Sequence, residues 1–257
     1  MRKLFAILGL AVAGIIALAA YPFIQVDDGR ILVTDGKIQF AAAATDEPLT
    51  NGLIAYWPLD DDLLDYSANT NHGSLVGSPT QAVGKVGGAY EFSGSSQYII
   101  VSNSASLSPV TNEISFAAWI YHKDTGNSGV FAKRLVGVAG NYWELWHNNT
   151  INTTTIGTMG IQTANSTNAV AINTWALLVT TYDGAHVRIY VNTILSDTPR
   201  VQTGNIAVTD HPVVIGMSYS TTYCYNGIID EVAVWNRALT TNEIDRLYNS
   251  GNGRSLK

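Results

Sequence analysis

The chain has 257 residues, of which 46% are hydrophobic and 13% charged, and its formal net charge is −6. The lysines and arginines are few and scattered, so there is no basic field to concentrate a polyanion, which argues against nucleic acid as a partner. The 23 glycines and the long Asn, Thr and Ser stretches are typical of an all-β domain with polar, uncharged loops.

The first 20 residues predict export from the cytoplasm. Arg2 and Lys3 precede an apolar run from Leu4 to Ala20, which is the pattern of a secretory signal peptide. The alternative is an uncleaved signal-anchor, because the uncharged run continues to Ile24 and reaches the roughly 20 residues that a spanning helix needs. Both interpretations place the rest of the chain outside the cell or at its surface, and they predict membrane attachment only if this apolar helix is uncleaved.

Residues 21–52 form a separate segment before the main domain. Asp28-Gly29 and Asp35-Gly36 separate short apolar runs, which predicts a β-hairpin, and a polar stretch typical of a linker follows. A strand edge in this segment could pair with another copy of the chain, so self-association is one hypothesis.

From Leu53 onward, short strands predominate. Residues 175–192 predict a hairpin in which Asp183-Gly184 separates two runs of β-branched and aromatic residues. Similar strands are expected at 114–121, 211–217 and 227–235. Strands at this density, with no long helical pattern between them, predict two packed antiparallel sheets.

One short helix is expected near the C-terminus. Thr240 and Glu243 have the spacing of a capping box, and Ile244 and Leu247 follow at helical spacing. Gly251 is the predicted stop.

Four stretches of this sequence also carry a family resemblance. They are LIAYWPLDDDLLDYSANTNHGSLVG (53–77), GKVGGAYEFSGSSQYIIV (84–101), ISFAAWIY (114–121) and GIIDEVAVWNRALTTNEIDRLY (227–248). In this order they resemble the laminin-G-like and pentraxin-like domains of the concanavalin A-like lectin/glucanase superfamily. The resemblance implies one all-β domain over residues 53–257, a two-sheet antiparallel jelly-roll sandwich that the N-terminal apolar helix precedes and a short helix closes.

The resemblance also implies a structural calcium ion. Family members often bind calcium where the Asp-x-Ser segment meets the Ile-Asp-Glu strand, which places the ligands here at Asp65 and Asp230, with Asn69 nearby. Carboxylate and amide oxygens are the ligands that Ca²⁺ prefers. The competing interpretation is that Asp65 makes only local hydrogen bonds to the backbone.

Aromatic residues in two segments are candidates for sugar binding, because aromatic faces stack on sugar rings while polar groups orient the hydroxyls. The candidates are Trp143, Trp146, Tyr219, Tyr223 and Tyr225. The competing interpretation is packing in the core of the sandwich.

No catalytic motif emerges from the sequence. Glycosidases need two carboxylates on one face of a site, whereas Asp230 and Glu231 are adjacent and would point to opposite faces of a regular strand. We therefore expect no enzymatic activity.

Asn148, Asn152 and Asn165 each begin an Asn-x-Ser/Thr sequence. In a glycosylating host these would be surface attachment sites, and in other hosts they reflect loop composition.

Taken together, these features predict a secreted or surface-displayed binding protein with a carbohydrate or glycoprotein ligand, a role in recognition or adhesion, and structural calcium. The alternative is a structural subunit of an extracellular fibre, layer or virion surface that associates through residues 21–50.

Overall fold

The computed structural model describes residues 23–27, 30–34, 39–40, 47–108, 111–134, 143–148, 151–157, 161–196, 198–218 and 220–257. It divides the chain into two compact units, Met1–Pro48 and Leu49–Lys257. The expected N-terminal apolar helix lies outside the described residues. Within the described ranges, no helix is long and apolar enough to cross a membrane.

The first unit contains a small sheet of its own. Strand β1 (Phe23–Asp27) pairs antiparallel with β2 (Arg30–Thr34), with Asp27 opposite Arg30. Strand β3 (Gln39–Phe40) pairs in parallel with the other edge of β1. The segment is therefore a three-stranded sheet rather than a hairpin alone.

The second unit is a sandwich of two antiparallel sheets. Its strands are β4 (Leu53–Trp57), β5 (Gly73–Val76), β6 (Thr80–Val83), β7 (Gly88–Ser93), β8 (Tyr98–Val101), β9 (Ile114–His122), β10 (Ser128–Lys133), β11 (Trp143–Asn148), β12 (Ile151–Gly157), β13 (Ile161–Asn165), β14 (Trp175–Tyr182), β15 (His186–Val191), β16 (Ile194–Leu195), β17 (Arg200–Val201), β18 (Val213–Ile215) and β19 (Asn226–Trp235). One sheet has the order β13-β12-β11-β10-β18-β8-β5. The other has the order β16-β15-β14-β9-β19-β7-β6, with β17 paired to β15 and β4 to β19. This architecture confirms the predicted jelly-roll sandwich.

Alternating side chains build the core between the two sheets. On β9, Phe116 and Ile120 point into the sandwich, and Ala117 and Trp119 point to the opposite side. The facing sheet contributes large side chains, among them Phe131 of β10, which is 1% exposed. Each such side chain stabilises the fold by roughly 1.5–3 kcal/mol through the apolar surface that it removes from water.

A second apolar layer covers the outer face of the nine-member sheet. Helix α1 (Thr241–Tyr248) places Ile244 and Leu247 against Trp119 and Trp235 of the sheet. The indole of Trp235 also donates a hydrogen bond to the carbonyl oxygen of Leu49, at 2.6 Å. In the described part of the chain, the α-helical cover therefore lies on this sheet, and at the outer face of the β13-to-β5 sheet lies the short 3₁₀ helix Thr221–Tyr223.

The start of α1 follows the sequence prediction, whereas its end does not. The Thr240 hydroxyl accepts the N–H of Glu243, and the Glu243 carboxylate accepts the N–H of Thr240 at 2.8 Å. The helix ends at Asn249, which adopts the left-handed conformation with φ 50°, two residues before the predicted stop at Gly251. Asparagine tolerates this conformation better than most residues, so it serves as the cap.

Replacing Thr240 by Ala should lower the free energy of unfolding by about 1 kcal/mol, because the first turn of α1 loses its side-chain acceptor. Thr241→Ala is the matched control, since Thr241 is exposed and follows the cap. Urea denaturation of both variants measures the difference. Equal stability of the two variants would show that the cap contributes nothing.

Candidate functional site

The carboxylate of Asp65, one of the predicted calcium ligands, is buried and hydrogen-bonded. Its Oδ1 accepts the backbone N–H groups of Tyr56 at 2.9 Å and Ser67 at 2.8 Å. Its Oδ2 accepts the Ser67 hydroxyl at 2.9 Å and the N–H of Asn71 at 2.8 Å. These bonds match the roughly four acceptor positions of a carboxylate, so Asp65 ties β4 to the loop that follows it. The predicted ligand Asn69 is exposed, and its amide donates to the carbonyl oxygen of Ile54 at 3.0 Å.

Asp230 belongs to a different hydrogen-bond network. Its Oδ2 accepts the N–H groups of Lys85 at 2.7 Å and Val86 at 2.9 Å. Its Oδ1 is buried and has no hydrogen-bond partner. Asp65 and Asp230 share no partner, and the described residues include no group of three or more His, Cys, Asp or Glu side chains that could hold a metal ion. Calcium bound jointly by Asp65 and Asp230 stays a prediction.

The strand that carries Asp230 is not regular. Its register with β9 shifts between Asp230 and Ala233, and Glu231 lies in the left-handed region with φ 52°. The expected alternation of Asp230 and Glu231 across the strand therefore does not apply, because a bulge redirects the side chains. Non-glycine residues adopt this conformation at a cost, and such strain concentrates at sites that the surrounding structure constrains.

Both acidic side chains at this bulge are buried, and the pKa of each is raised. Burial raises the pKa of Asp230 to about 7, and burial together with the neighbouring Asp230 and Asp60 raises the pKa of Glu231 to about 8. The Tyr56 hydroxyl donates to Glu231 Oε2 at 2.6 Å, while Glu231 Oε1 is buried without a partner. Glu231 lines a small cavity beneath α1 and the C-terminal residues, with Arg254 and Leu256 on its wall. Raised pKa values of this kind mean that the two carboxyl groups hold protons to a higher pH than exposed ones do.

The five predicted sugar-binding aromatics fall into three groups. Trp143 and Tyr225 are 1% and 0% exposed and belong to the core, where Trp143 stacks on Phe116 with ring centroids 5.6 Å apart. For these two, the competing interpretation of core packing is correct, because neither ring offers a face to a ligand. Tyr219 lies outside the described residues. Trp146 and Tyr223 remain as candidates.

Trp146 and Tyr223 form an aromatic corner on the outer face of the β13-to-β5 sheet. Both are partly exposed, and their ring centroids are 5.0 Å apart with an angle of 55° between the planes. The next residue, His147, points to the opposite side and stacks on His122 of the facing sheet, with ring centroids 3.5 Å apart. Both histidines are 1% exposed, so the backbone beneath Trp146 is anchored to both layers of the sandwich.

An ion pair between the buried Glu144 and the partly buried Arg134 lies beside the aromatic corner. Glu144 precedes Trp146 by two residues on β11 and shares its face, and Arg134 Nη1 lies 3.3 Å from each carboxylate oxygen of Glu144. The Ser218 hydroxyl donates to Glu144 Oε2 at 2.8 Å. Burial raises the pKa of Glu144, against the opposing effects of Ser218 and Arg134. The corner thus combines stacking surface with groups that exchange hydrogen bonds with hydroxyls.

Sequence reasoning did not identify the residues of this ion pair. Alternation along β11 carried a usable signal, since Trp143 and Leu145 point inward while Glu144 and Trp146 point outward. The position of Arg134 and Ser218 depends on strand order, which the sequence pattern does not contain.

Comparison with known proteins places this geometry in context. Residues 93–245, more than half of the chain, match the sequence profile of the family described as the concanavalin A-like lectin/glucanases superfamily. No curated protein matches the chain in sequence.

Several solved structures resemble the sandwich. Domain 4 of AbnA, a GH43 extracellular arabinanase from Geobacillus stearothermophilus, solved in complex with arabinotriose, is similar with a TM-score of 0.64 and 19% identity over 76% of this chain and 97% of that domain. The binding domain of Paraclostridial Mosquitocidal Protein 1 has a TM-score of 0.66 and 13% identity over 79% of this chain. The binding domain of botulinum neurotoxin serotype G has a TM-score of 0.64 and 13% identity over 77% of this chain. The match spans 53% and 51% of those two toxin domains, and at these identities the likeness concerns the fold.

Proposed function

Because the chain belongs to the concanavalin A-like lectin/glucanases superfamily, we propose that it is a non-catalytic binding protein for a carbohydrate or glycoprotein. The observation that carries the proposal is the partly exposed Trp146–Tyr223 corner beside the Glu144–Arg134 ion pair. An aromatic face stacks on the C–H groups of a sugar ring, and the charged pair exchanges hydrogen bonds with its hydroxyls. Structurally similar domains include one solved with arabinotriose and two toxin binding domains, which supports a ligand of this kind.

Replacing Trp146 by Ala should reduce glycan affinity about tenfold or more, because the stacking surface is lost. Trp175→Ala is the matched control: Trp175 is partly exposed on the other sheet and packs on Tyr121 at 5.6 Å with an angle of 58°. A glycan array identifies the ligands, and isothermal titration with arabinotriose and the best array ligand measures both variants. Equal losses in the two variants would contradict a binding role for Trp146, and an absence of glycan binding would overturn the proposal.

The non-catalytic part of the proposal has separate support. The Glu231 carboxylate lies beneath the C-terminal segment, where Ser255 and Leu256 contact the hydroxyl of Tyr56 that donates to it, and Asp230 is buried under the backbone of Lys85 and Val86. That cover keeps a polysaccharide away from the pair. Incubation with polysaccharides and assay of reducing ends tests this, and release of sugar would contradict it.

We also propose that the calcium expected from the family lies at Asp230 and Glu231 rather than at Asp65. The buried oxygens Oδ1 of Asp230 and Oε1 of Glu231 have no hydrogen-bond partner, whereas both oxygens of Asp65 accept hydrogen bonds. Carboxylate oxygens are the ligands that a hard divalent cation prefers, and a bound ion would balance the charge of the pair and stabilise the bulge.

Export stays a proposal that rests on Arg2, Lys3 and the apolar run to Ala20. N-terminal sequencing of protein recovered from the medium and from membranes would separate a cleaved signal peptide from an anchor. Recovery in the cytoplasm alone would contradict export.

A second candidate function is assembly of an extracellular structure through the first unit. It is favoured by the three-stranded sheet that residues 23–40 form on their own. Removing residues 21–48 tests it, and the deletion should stop before Leu49, which packs in the sandwich. An unchanged mass in solution would count against assembly.

A further inference from the structure

Two polar rows continue from the aromatic corner toward the edge of its sheet. In the register of β11, β12 and β13, Trp146 pairs with Thr153 and Thr153 with Asn165. In the neighbouring row, Glu144 pairs with Thr155 and Thr155 with Thr163. Residues that are paired directly across strands share a face of the sheet, and Ala164 between Thr163 and Asn165 is buried, so Thr163 and Asn165 lie on the same outer face as Glu144 and Trp146.

The members at the sheet edge are exposed and uncharged. Thr163 and Asn165 on β13 are exposed, whereas Ala164 between them is buried on the inner side. Hydroxyl and amide groups offer both donors and acceptors, which suits the hydroxyls of a neutral sugar. The guanidinium of Arg134 at the corner already faces the Glu144 carboxylate, so its positive charge is compensated and does not select an acidic ligand.

The opposite direction is closed. Gly129 of β10 pairs with Trp146 on the other side, and a Cβ built on Gly129 would lie 2.2 Å from the backbone nitrogen of Ser218. The chain at residues 217–218 therefore lies directly over β10. A ligand seated on Trp146 is therefore blocked over β10, and across the described strands it extends over β12 and β13.

The dimensions of this track indicate more than one sugar residue. Neighbouring strands are about 4.8 Å apart, so the track from β11 to β13 spans about 10 Å. One sugar residue advances an extended chain by roughly one strand spacing.

Building on the proposed function, we propose that the ligand is an unbranched, neutral oligosaccharide that crosses β11, β12 and β13. One ring stacks in the Trp146–Tyr223 corner, and the next two residues lie over the rows that end at Asn165 and Thr163. The site then recognises about three consecutive residues of a chain rather than a single terminal sugar.

The test is titration of the full-length protein, produced in a host without N-glycosylation so that Asn165 is unmodified. The probes are arabino-, cello- and manno-oligosaccharides of one to six residues. In at least one series, affinity should rise about tenfold or more between one and three residues and then level off, as expected if two or three added hydrogen bonds each contribute severalfold. The double variant Thr163→Val/Asn165→Ala should lose that increase and keep the affinity for the monosaccharide. Thr80→Val, an exposed threonine on an edge strand of the other sheet, should behave like the natural sequence.

The outcomes separate this inference from the proposed function. Equal affinity for one and six residues, or an increase that the double variant retains, would overturn the chain-binding inference and leave glycan binding in place. If only branched or acidic glycans on the array bind, the chain-binding inference is likewise overturned and glycan binding stays in place. No binding of any glycan, on the array or in solution, would overturn both. A lower melting temperature of the double variant with the same length dependence would show that the two residues are merely structural.

Discussion

Replacing Asp65 by Asn is expected to lower the free energy of unfolding by about 3 kcal/mol. The buried carboxylate accepts the N–H groups of Tyr56, Ser67 and Asn71 and the hydroxyl of Ser67. The amide nitrogen of asparagine is a donor, so it would replace one of the two accepting oxygens and face the donors that this oxygen now accepts. Each buried donor left without an acceptor costs roughly 1–3 kcal/mol. Since Asp65 ties β4 to its following loop, the whole sandwich should lose stability.

Urea denaturation in calcium and in chelator measures this effect, with Asp61→Asn as the control because Asp61 is exposed in the same loop. The loss at Asp65 should be equal in both conditions, because it arises from hydrogen bonds within the protein. A difference below about 1 kcal/mol between the two variants would contradict the role of Asp65 in tying β4 to its following loop. A loss seen in calcium alone would instead establish Asp65 as a metal ligand, as the family resemblance implies.

Much of the fold could be predicted from the sequence because local patterns determine it. The hairpin at Asp183-Gly184 forms as expected between β14 and β15, and the strand expected at 227–235 is observed as β19. Both depend on period-two alternation and on a turn that glycine permits, with φ 81° at Gly184. The capping box of Thr240 and Glu243 is equally local.

The candidate site could be predicted only in part, because burial on an outer face depends on what covers that face. Trp119 and Trp146 both point away from the core between the sheets, but α1 covers Trp119 and leaves Trp146 partly exposed. The prediction that Trp143 and Tyr225 bind a ligand is wrong, because composition does not distinguish inward from outward positions and both rings are buried. The bulge at Glu231 breaks the alternation on which the argument for opposite faces rested.

The stability of the protein in chelator is expected to fall as pH rises from about 4 to 8, and the acidic pair at the bulge is the cause. Burial raises the pKa of Asp230 to about 7 and that of Glu231 to about 8, whereas in the unfolded chain both groups titrate near 4. Between these limits the folded protein keeps protons that the unfolded chain has released, so the stabilisation is present at the acidic end and is lost as pH rises. The expected decline is on the order of 4 kcal/mol for each of the two groups.

Glu231→Gln should flatten this decline by about half, because it removes one of two titrating groups while preserving the shape of the side chain. Glu91→Gln, at a partly exposed position of β7 in the same sheet, should change this decline much less. Melting temperatures at pH 5 and pH 8 provide the measurement, each in chelator and in millimolar calcium.

If calcium binds at the pair, it should stabilise the protein more at pH 8, where the carboxylates are ionised, and thereby reduce the slope. If calcium does not change the slope, the calcium proposal is overturned, and proton binding by the pair still explains the decline. Equal stability at pH 5 and pH 8 in chelator, unaffected by Glu231→Gln, would show that the pair does not control the acid–base response of the fold.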